Sequence, residues 1–152
     1  MLLQFIAGLF ATVGYALIFN QPRRHLLATG LAGAAGWLLY LFAVSLGNGP
    51  GFSCFLSAFL VTILSQIFAR VLKDPVMVFC IPGIMPIVPG AGMYNTMRAF
   101  IANDMPRVLT VGYTTISMAA AIALGLLAAS SLVHILIAVH RTFFSGATSK
   151  NR

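Results

Sequence analysis

Long apolar runs without a charged side chain constrain this sequence more than any other feature. Four of them, at residues 1–19, 26–46, 52–69 and 108–139, are long enough to form helices that cross a membrane, since a crossing needs roughly 20 apolar residues. The 152 residues include only 9 Lys and Arg and 2 acidic residues, too few to cover a surface in water. The sequence therefore predicts an all-α polytopic membrane protein with four clear transmembrane helices, and it excludes a soluble globular domain.

A fifth apolar segment, between residues 75 and 103, is interrupted by proline and glycine. Pro82, Pro86 and Pro89 follow one another closely, with glycines beside them. Proline lacks the amide donor of a helix and clashes with the preceding turn, so we expect no continuous helix here. Unwound backbone persists in hydrocarbon only where protein buries it or where it lines a watery cavity. The interruption is therefore the place to look for function.

Half-helices in transporters present free N–H groups and a positive dipole end to anionic groups of the solute. On this basis we expect a substrate site in the interrupted segment and on the helix predicted after it. A kinked packing element or an interfacial loop fits the composition equally well. A complete crossing gives five spans, and a re-entrant segment gives four. The candidate site residues are Pro82, Gly83, Pro86, Pro89, Gly90, Tyr94, Asn95 and Arg98.

The third apolar run has one polar face. Thr62, Ser65, Gln66 and Ala69 are spaced so that they share one side of a helix, which we expect to point inward. Hydrogen bonding between helices is the simpler interpretation of this face, and a supporting role along a solute path is the alternative.

Small residues at helical spacing predict close helix packing rather than chemistry. The small residues are Gly30, Gly33 and Gly36 in the second run and Ser117, Ala121, Gly125 and Ala129 in the last.

We expect the two cysteines, Cys54 and Cys80, to be buried thiols, with no disulfide and no metal. We expect His134 and His140, which lie near a membrane interface, to be structural hydrogen-bonding groups.

The basic residues predict the orientation. Arg23 and Arg24 follow the first run and Arg70 follows the third, whereas the turn at 47–51 is uncharged. Loops rich in Lys and Arg stay in the cytoplasm, so the N-terminus is expected outside. This rule explains the net charge of +7 without a nucleic-acid partner. We divide the chain into one transmembrane domain, 1–140, and a basic polar tail, 141–152, and we expect Asp74 and Asp104 to be solvated end-caps.

Enzymatic activity is not expected. Two Asp and three scattered His supply no paired carboxylates, no metal-ligand cluster and no nucleophile with a base beside it. The sequence predicts no catalytic residue, no metal and no cofactor.

Several motifs resemble a known family. They are VGYALIFNQP at 13–22, KDP at 73–75 and IPGIMPIVPG at 81–90, the last followed by Tyr94. Together they are similar to the smaller, C-terminal module of the threonine/serine exporter family, in the form of a separate YjjB-like subunit. The resemblance covers nearly the whole chain.

The resemblance implies export of a small carboxylate solute across the bacterial plasma membrane, either threonine and serine or a dicarboxylate such as succinate. It also implies a larger YjjP-like membrane subunit as a partner. Because about five helices are few for alternating access, a partner or a homo-oligomer in the lipid bilayer is expected on physical grounds as well. The alternative function is a non-transporting subunit that assembles or stabilises a membrane complex.

Overall fold

The computed structural model describes the backbone of residues 2–148 and the side chains of residues 2–137. Over this range the chain is helical, and two short 3-10 turns, Arg23–His25 and Met85–Ile87, precede the second helix and follow the fourth. The helices are α1 (Leu2–Ile18), α2 (Leu26–Ser45), α3 (Pro50–Leu72), α4 (Val76–Ile84), α5 (Gly90–Ile101) and α6 (Met105–Thr148).

The predicted class, an all-helical membrane protein, is confirmed. Three helices are long and apolar enough to cross a membrane: α2 with the turn before it, α3, and α6 as far as Ile137. The fourth and fifth helices form a pair bent by 52° that could be one broken span or a re-entrant loop, and α1 is shorter, at 17 residues. The count of four clear spans plus a fifth therefore stays a prediction.

The predicted small-residue faces lie at helix contacts. Gly33 of α2 packs on Thr12 of α1, and Gly36 packs on Val61 of α3. A Cβ atom at Gly125 of α6 would lie 2.6 Å from the backbone oxygen of Phe55 in α3. Close backbone approach of this kind holds membrane helices together, because lipid supplies no hydrophobic drive between them.

The two halves of the broken segment have different neighbours. The fourth helix, α4, packs on α2 and α3, and a cavity lies between it and α6. The fifth helix, α5, runs antiparallel to the first part of α6, since Gly92 contacts Thr115 and Phe100 shares a groove with Val108.

The basic turns at the ends of α1 and α3 meet through Asp74. Its carboxylate lies 3.1 Å from the Arg24 guanidinium and 2.6 Å from Nε2 of His25, which is buried. The expectation of a solvated end-cap at Asp74 is therefore wrong, because the fold brings a buried imidazole 49 residues away in sequence against it. Asp104 is exposed and accepts a hydrogen bond from the backbone N–H of Arg107 in the first turn of α6.

The last helix continues into the predicted tail. The backbone of 141–148 extends α6, while residues 149–152 lie outside the described residues. The side chain of His140 also lies outside them. His134 is exposed and makes no hydrogen bond to another described side chain or backbone group, so a structural hydrogen-bonding role for it finds no partner among those groups.

Candidate functional site

The predicted interruption is present, and no continuous helix spans the segment. Pro82 itself lies inside α4, which continues to Ile84 before a single 3-10 turn, so the break falls in the later part of the proline-rich stretch. Pro82 follows six helical residues, and Gly83 beside it packs against Val61 and the backbone of Gly33. Contact with neighbouring helices lets a membrane helix tolerate proline. Helical structure, first α and then 3-10, continues to Ile87 and is interrupted only at Val88 and Pro89.

At Val88 and Pro89 the chain turns sharply before it forms the next helix. Pro89 has φ −77° and ψ 57°, and the N–H of Gly90 donates a 2.8 Å hydrogen bond to the carbonyl of Val88. These values define an inverse γ-turn. Pro89 is buried, whereas Val88 and Gly90 on either side of it are exposed. Unwound backbone at membrane depth persists where protein buries it or where it lines a watery cavity.

The N-terminus of α5 has backbone donors without acceptors. The first bond back to the turn is donated by Met93 to the Pro89 carbonyl, and no side chain caps the helix. Among the described residues, the N–H groups of Ala91 and Gly92 have no hydrogen-bond partner. Free N–H groups at the positive end of a helix dipole are a favourable environment for an anion.

These donors border a cavity of about 480 Å³ between the break, α2 and α6. Its volume lies in the range of small-molecule sites. Apart from the break, the side chains that give it a polar character are three threonines of α6 and two aromatic residues of α2. They are Thr110, Thr114, Thr115, Trp37 and Tyr40.

A second cavity, of about 380 Å³, lies on the α1 side of the same break. Pro86, Gly90 and Ala91 border both cavities, and so does Trp37. The indole N–H of Trp37 donates a 3.3 Å hydrogen bond to the side-chain oxygen of Gln4. The unwound turn and the first residues of α5 therefore lie between two cavities, one on each side.

The structure brings only part of the predicted site together. Pro86, Pro89 and Gly90 line the cavity beside α6, whereas Pro82 and Gly83 are buried in the packing of α4. Tyr94 and Arg98 are exposed, Asn95 is half-buried, and none of the three lines the two break cavities. They occupy the face of α5 that points away from α6, because Gly92 and Thr96 make the contact with α6.

Sequence reasoning missed the wall that α6 contributes. Thr110 and Thr114 are one turn apart, which was a readable signal. Their hydroxyls donate to the carbonyls of Pro106 and Thr110, at 2.9 and 3.0 Å, so their lone pairs remain available to a solute. The pairing of this face with the break is a tertiary contact that the local pattern does not contain.

The predicted polar face of α3 does point inward. Thr62, Ser65 and Gln66 are all buried, and the Thr62 hydroxyl donates a 2.7 Å hydrogen bond to the carbonyl of Ala58. Thr62 and Gln66 line a further cavity between α3, α4 and α6, which is separate from the two cavities at the break. Both cysteines are buried and free, as predicted.

The described helices, with unwound backbone between two cavities, define a multi-pass membrane protein. The family described as Threonine/Serine exporter, ThrE, matches residues 4–132, and the chain belongs to that family. No solved structure matches it. Family and fold together make the protein a membrane exporter.

Proposed function

We propose that this chain is a subunit of an exporter for a small carboxylate solute in the bacterial plasma membrane. The solute is threonine or serine, with a dicarboxylate such as succinate as the alternative, and the chain works with a larger YjjP-like membrane subunit. The site is the discontinuous segment between α4 and α5. The observation that carries this proposal is the uncapped N-terminus of α5 at the cavity of about 480 Å³.

The backbone of the break supplies the carboxylate recognition. The N–H groups of Ala91 and Gly92 can each donate to one carboxylate oxygen, and the dipole of α5 favours the negative charge. The hydroxyls of Thr110 and Thr114 line the same cavity. They offer partners to a hydroxyl, an ammonium or a second carboxylate of the solute. Neither acidic residue of the described part of the chain, Asp74 or Asp104, lines a break cavity, so an anion meets no acidic side chain there.

A partner subunit is supported by the exposed face of α5. Arg98 and Tyr94 lie on that face with no hydrogen bond to another described residue. A charged side chain in a membrane segment normally faces the interior of a bundle or a watery cavity. We propose that the larger subunit covers this face, with Tyr94, Asn95 and Arg98 completing the site from the other side of α5.

Replacing the proline at the break tests the site. In Pro89→Ala, the backbone can continue the helix, so that the N–H groups of Ala91 and Gly92 bond to preceding carbonyls and leave the cavity. Hydrogen bonds to a charged group contribute about 1.5–3 kcal/mol each. We therefore expect the solute concentration for half-maximal efflux to rise at least about tenfold. The measurement is efflux of labelled threonine and succinate from cells that hold this chain and the larger subunit.

Pro106→Ala is the matched control, because Pro106 occupies the first turn of α6, where proline is tolerated. Its efflux should equal that of the wild type. Co-purification of the two subunits is measured for both variants. Efflux that survives Pro89→Ala with the complex intact would refute the site and leave the assembly role as the function of this chain.

A further inference from the structure

The cavity between α3, α4 and α6 has an arrangement that the break site does not use. Its volume is about 600 Å³. The lining residues of α4, such as Ile84, form an apolar wall. The wall formed by α3 has a cation, Arg70, and two polar groups, Thr62 and Gln66. The α6 residues Ser130 and His134 add polar groups, and Leu126 of the same helix is apolar.

Two polar side chains of this wall lack partners. Gln66 is only 6% exposed, and its amide forms no hydrogen bond with another described residue. Gln66 lines the cavity, so its amide is available there to donate to or accept from a ligand. Arg70 forms no ion pair with a described residue, since Asp74 is bound to Arg24 and His25.

From this geometry we propose that the cavity is a second carboxylate site, which takes the solute from the basic end of the molecule before it reaches the break. Arg70 binds the carboxylate and Gln66 binds a second polar group, while the apolar wall excludes larger hydrophilic solutes. No acidic side chain lines the cavity. This inference rests on the proposed function, because it assigns the same solute to both sites.

The two proposed sites border neighbouring parts of the broken segment. Ile81 and Ile84 of α4 border the second site, and Pro86 and Val88 border the break cavity. A solute leaving Arg70 therefore has to pass only the end of α4 to reach the free N–H groups of α5. Gly83, in the same stretch of α4, packs against Val61.

Each site contains its own natural probe. Cys80 lines the second cavity, whereas Cys54 is fully buried in the helix packing and serves as an internal control. Trp37, the single tryptophan of the chain, borders the break cavities. Alkylation of Cys80 by N-ethylmaleimide, followed by mass spectrometry of peptides, reports on the second site. The fluorescence of Trp37 reports on the break.

The experiment titrates the purified full chain in detergent with succinate and with L-threonine. Succinamide and threoninol, which lack the carboxylate, are the matched controls. We expect succinate or threonine to slow the alkylation of Cys80, and the controls to leave it unchanged. Arg70→Met should raise the concentration for half-protection at least about tenfold, because it removes the charge and keeps the apolar stem. Arg107→Met, at an exposed arginine outside the cavity, should not.

Failure of this inference is distinct from failure of the proposed function. The second site is overturned if neither solute changes the rate of Cys80 alkylation, or if the solutes protect Cys80 equally well in Arg70→Met. The change in Trp37 fluorescence on adding the solutes tests the break site independently. An anionic phospholipid headgroup shares the oxyanion chemistry of the solute, so the titration is repeated in nanodiscs of phosphatidylglycerol and of phosphatidylcholine. Protection by phosphatidylglycerol alone, without solute, would assign the cavity to lipid and overturn the solute site.

Discussion

Arg24, His25 and Asp74 form the main charged contact of the described structure. His25 is 1% exposed and its ring contacts Phe79 edge to face, with ring centres 5.4 Å apart. Its Nε2 atom lies 2.6 Å from Asp74, and its Nδ1 atom has no partner among the described residues. Because Asp74 lies two residues before α4 and Phe79 lies within it, this contact fixes the start of the broken segment to the turn between α1 and α2.

Removing the carboxylate should therefore loosen α4. In Asp74→Asn, the buried imidazole loses its charged partner, and we expect a loss of about 1–3 kcal/mol, the usual cost of leaving a buried polar group without its partner. The measurement is thermal unfolding of the purified chain in detergent, followed by circular dichroism. Asp104→Asn is the control, since asparagine caps a helix as well as aspartate does. An unchanged midpoint for Asp74→Asn would show that the ion pair does not stabilise α4.

At the scale of the elements, α3 and α6 share the most extensive helix contact, and Gly125 lies at it. The oxygen that a Cβ atom would meet there belongs to the backbone of Phe55. A backbone atom cannot rotate away as a side chain can, so a larger residue must push the helices apart. Cys54, Ala58 and Ile122 form part of the buried cluster beside this contact.

Gly125→Val should therefore separate α3 from α6 and destabilise the fold. Overpacking typically costs 1–3 kcal/mol, and we expect about the upper end of that range. Ala128→Val, on the exposed side of α6, is the matched control and should unfold as the wild type does. Thermal unfolding in detergent distinguishes the two. Equal midpoints would mean that the α3–α6 distance is not fixed by this glycine.

The helices themselves could be predicted from the sequence, because a membrane helix satisfies its backbone internally and needs only an apolar run of sufficient length. The interruption could also be predicted, since proline and glycine act locally. Its exact position could not, because Pro82 is tolerated through contacts of Gly83 with distant residues. Thr110 and Thr114 were missed for the same reason: nothing in their own stretch of sequence indicates that α5 begins beside them.

At the scale of the whole molecule, the broken segment connects two regions of the helix packing: α4 packs on α2 and α3, and α5 lies antiparallel to the first part of α6. Arg24 and Asp74 mark one end of the molecule, where α1 meets α2 and α3 meets α4. His134 of α6 shares a cavity with Arg70 near that end. The turns around Asn48 and Asn103 lie toward the opposite end, because Gly51 contacts Ser117 and α5 follows α6 back toward Met105.

This arrangement predicts on which side of the membrane each turn lies. If the segment crosses completely, Asn103 lies outside with Asn48, and Asn20 lies in the cytoplasm with the arginines. A re-entrant segment would instead return Asn103 to the side of Asn20. Single substitutions Asn20→Cys, Asn48→Cys and Asn103→Cys, labelled in intact cells with a membrane-impermeant maleimide, separate the two. We expect labelling at 48 and 103 and none at 20, because an impermeant reagent does not reach Cys54 and Cys80 inside the membrane helices. Labelling at 48 alone would establish the re-entrant loop and leave both ends of the break on one side of the membrane.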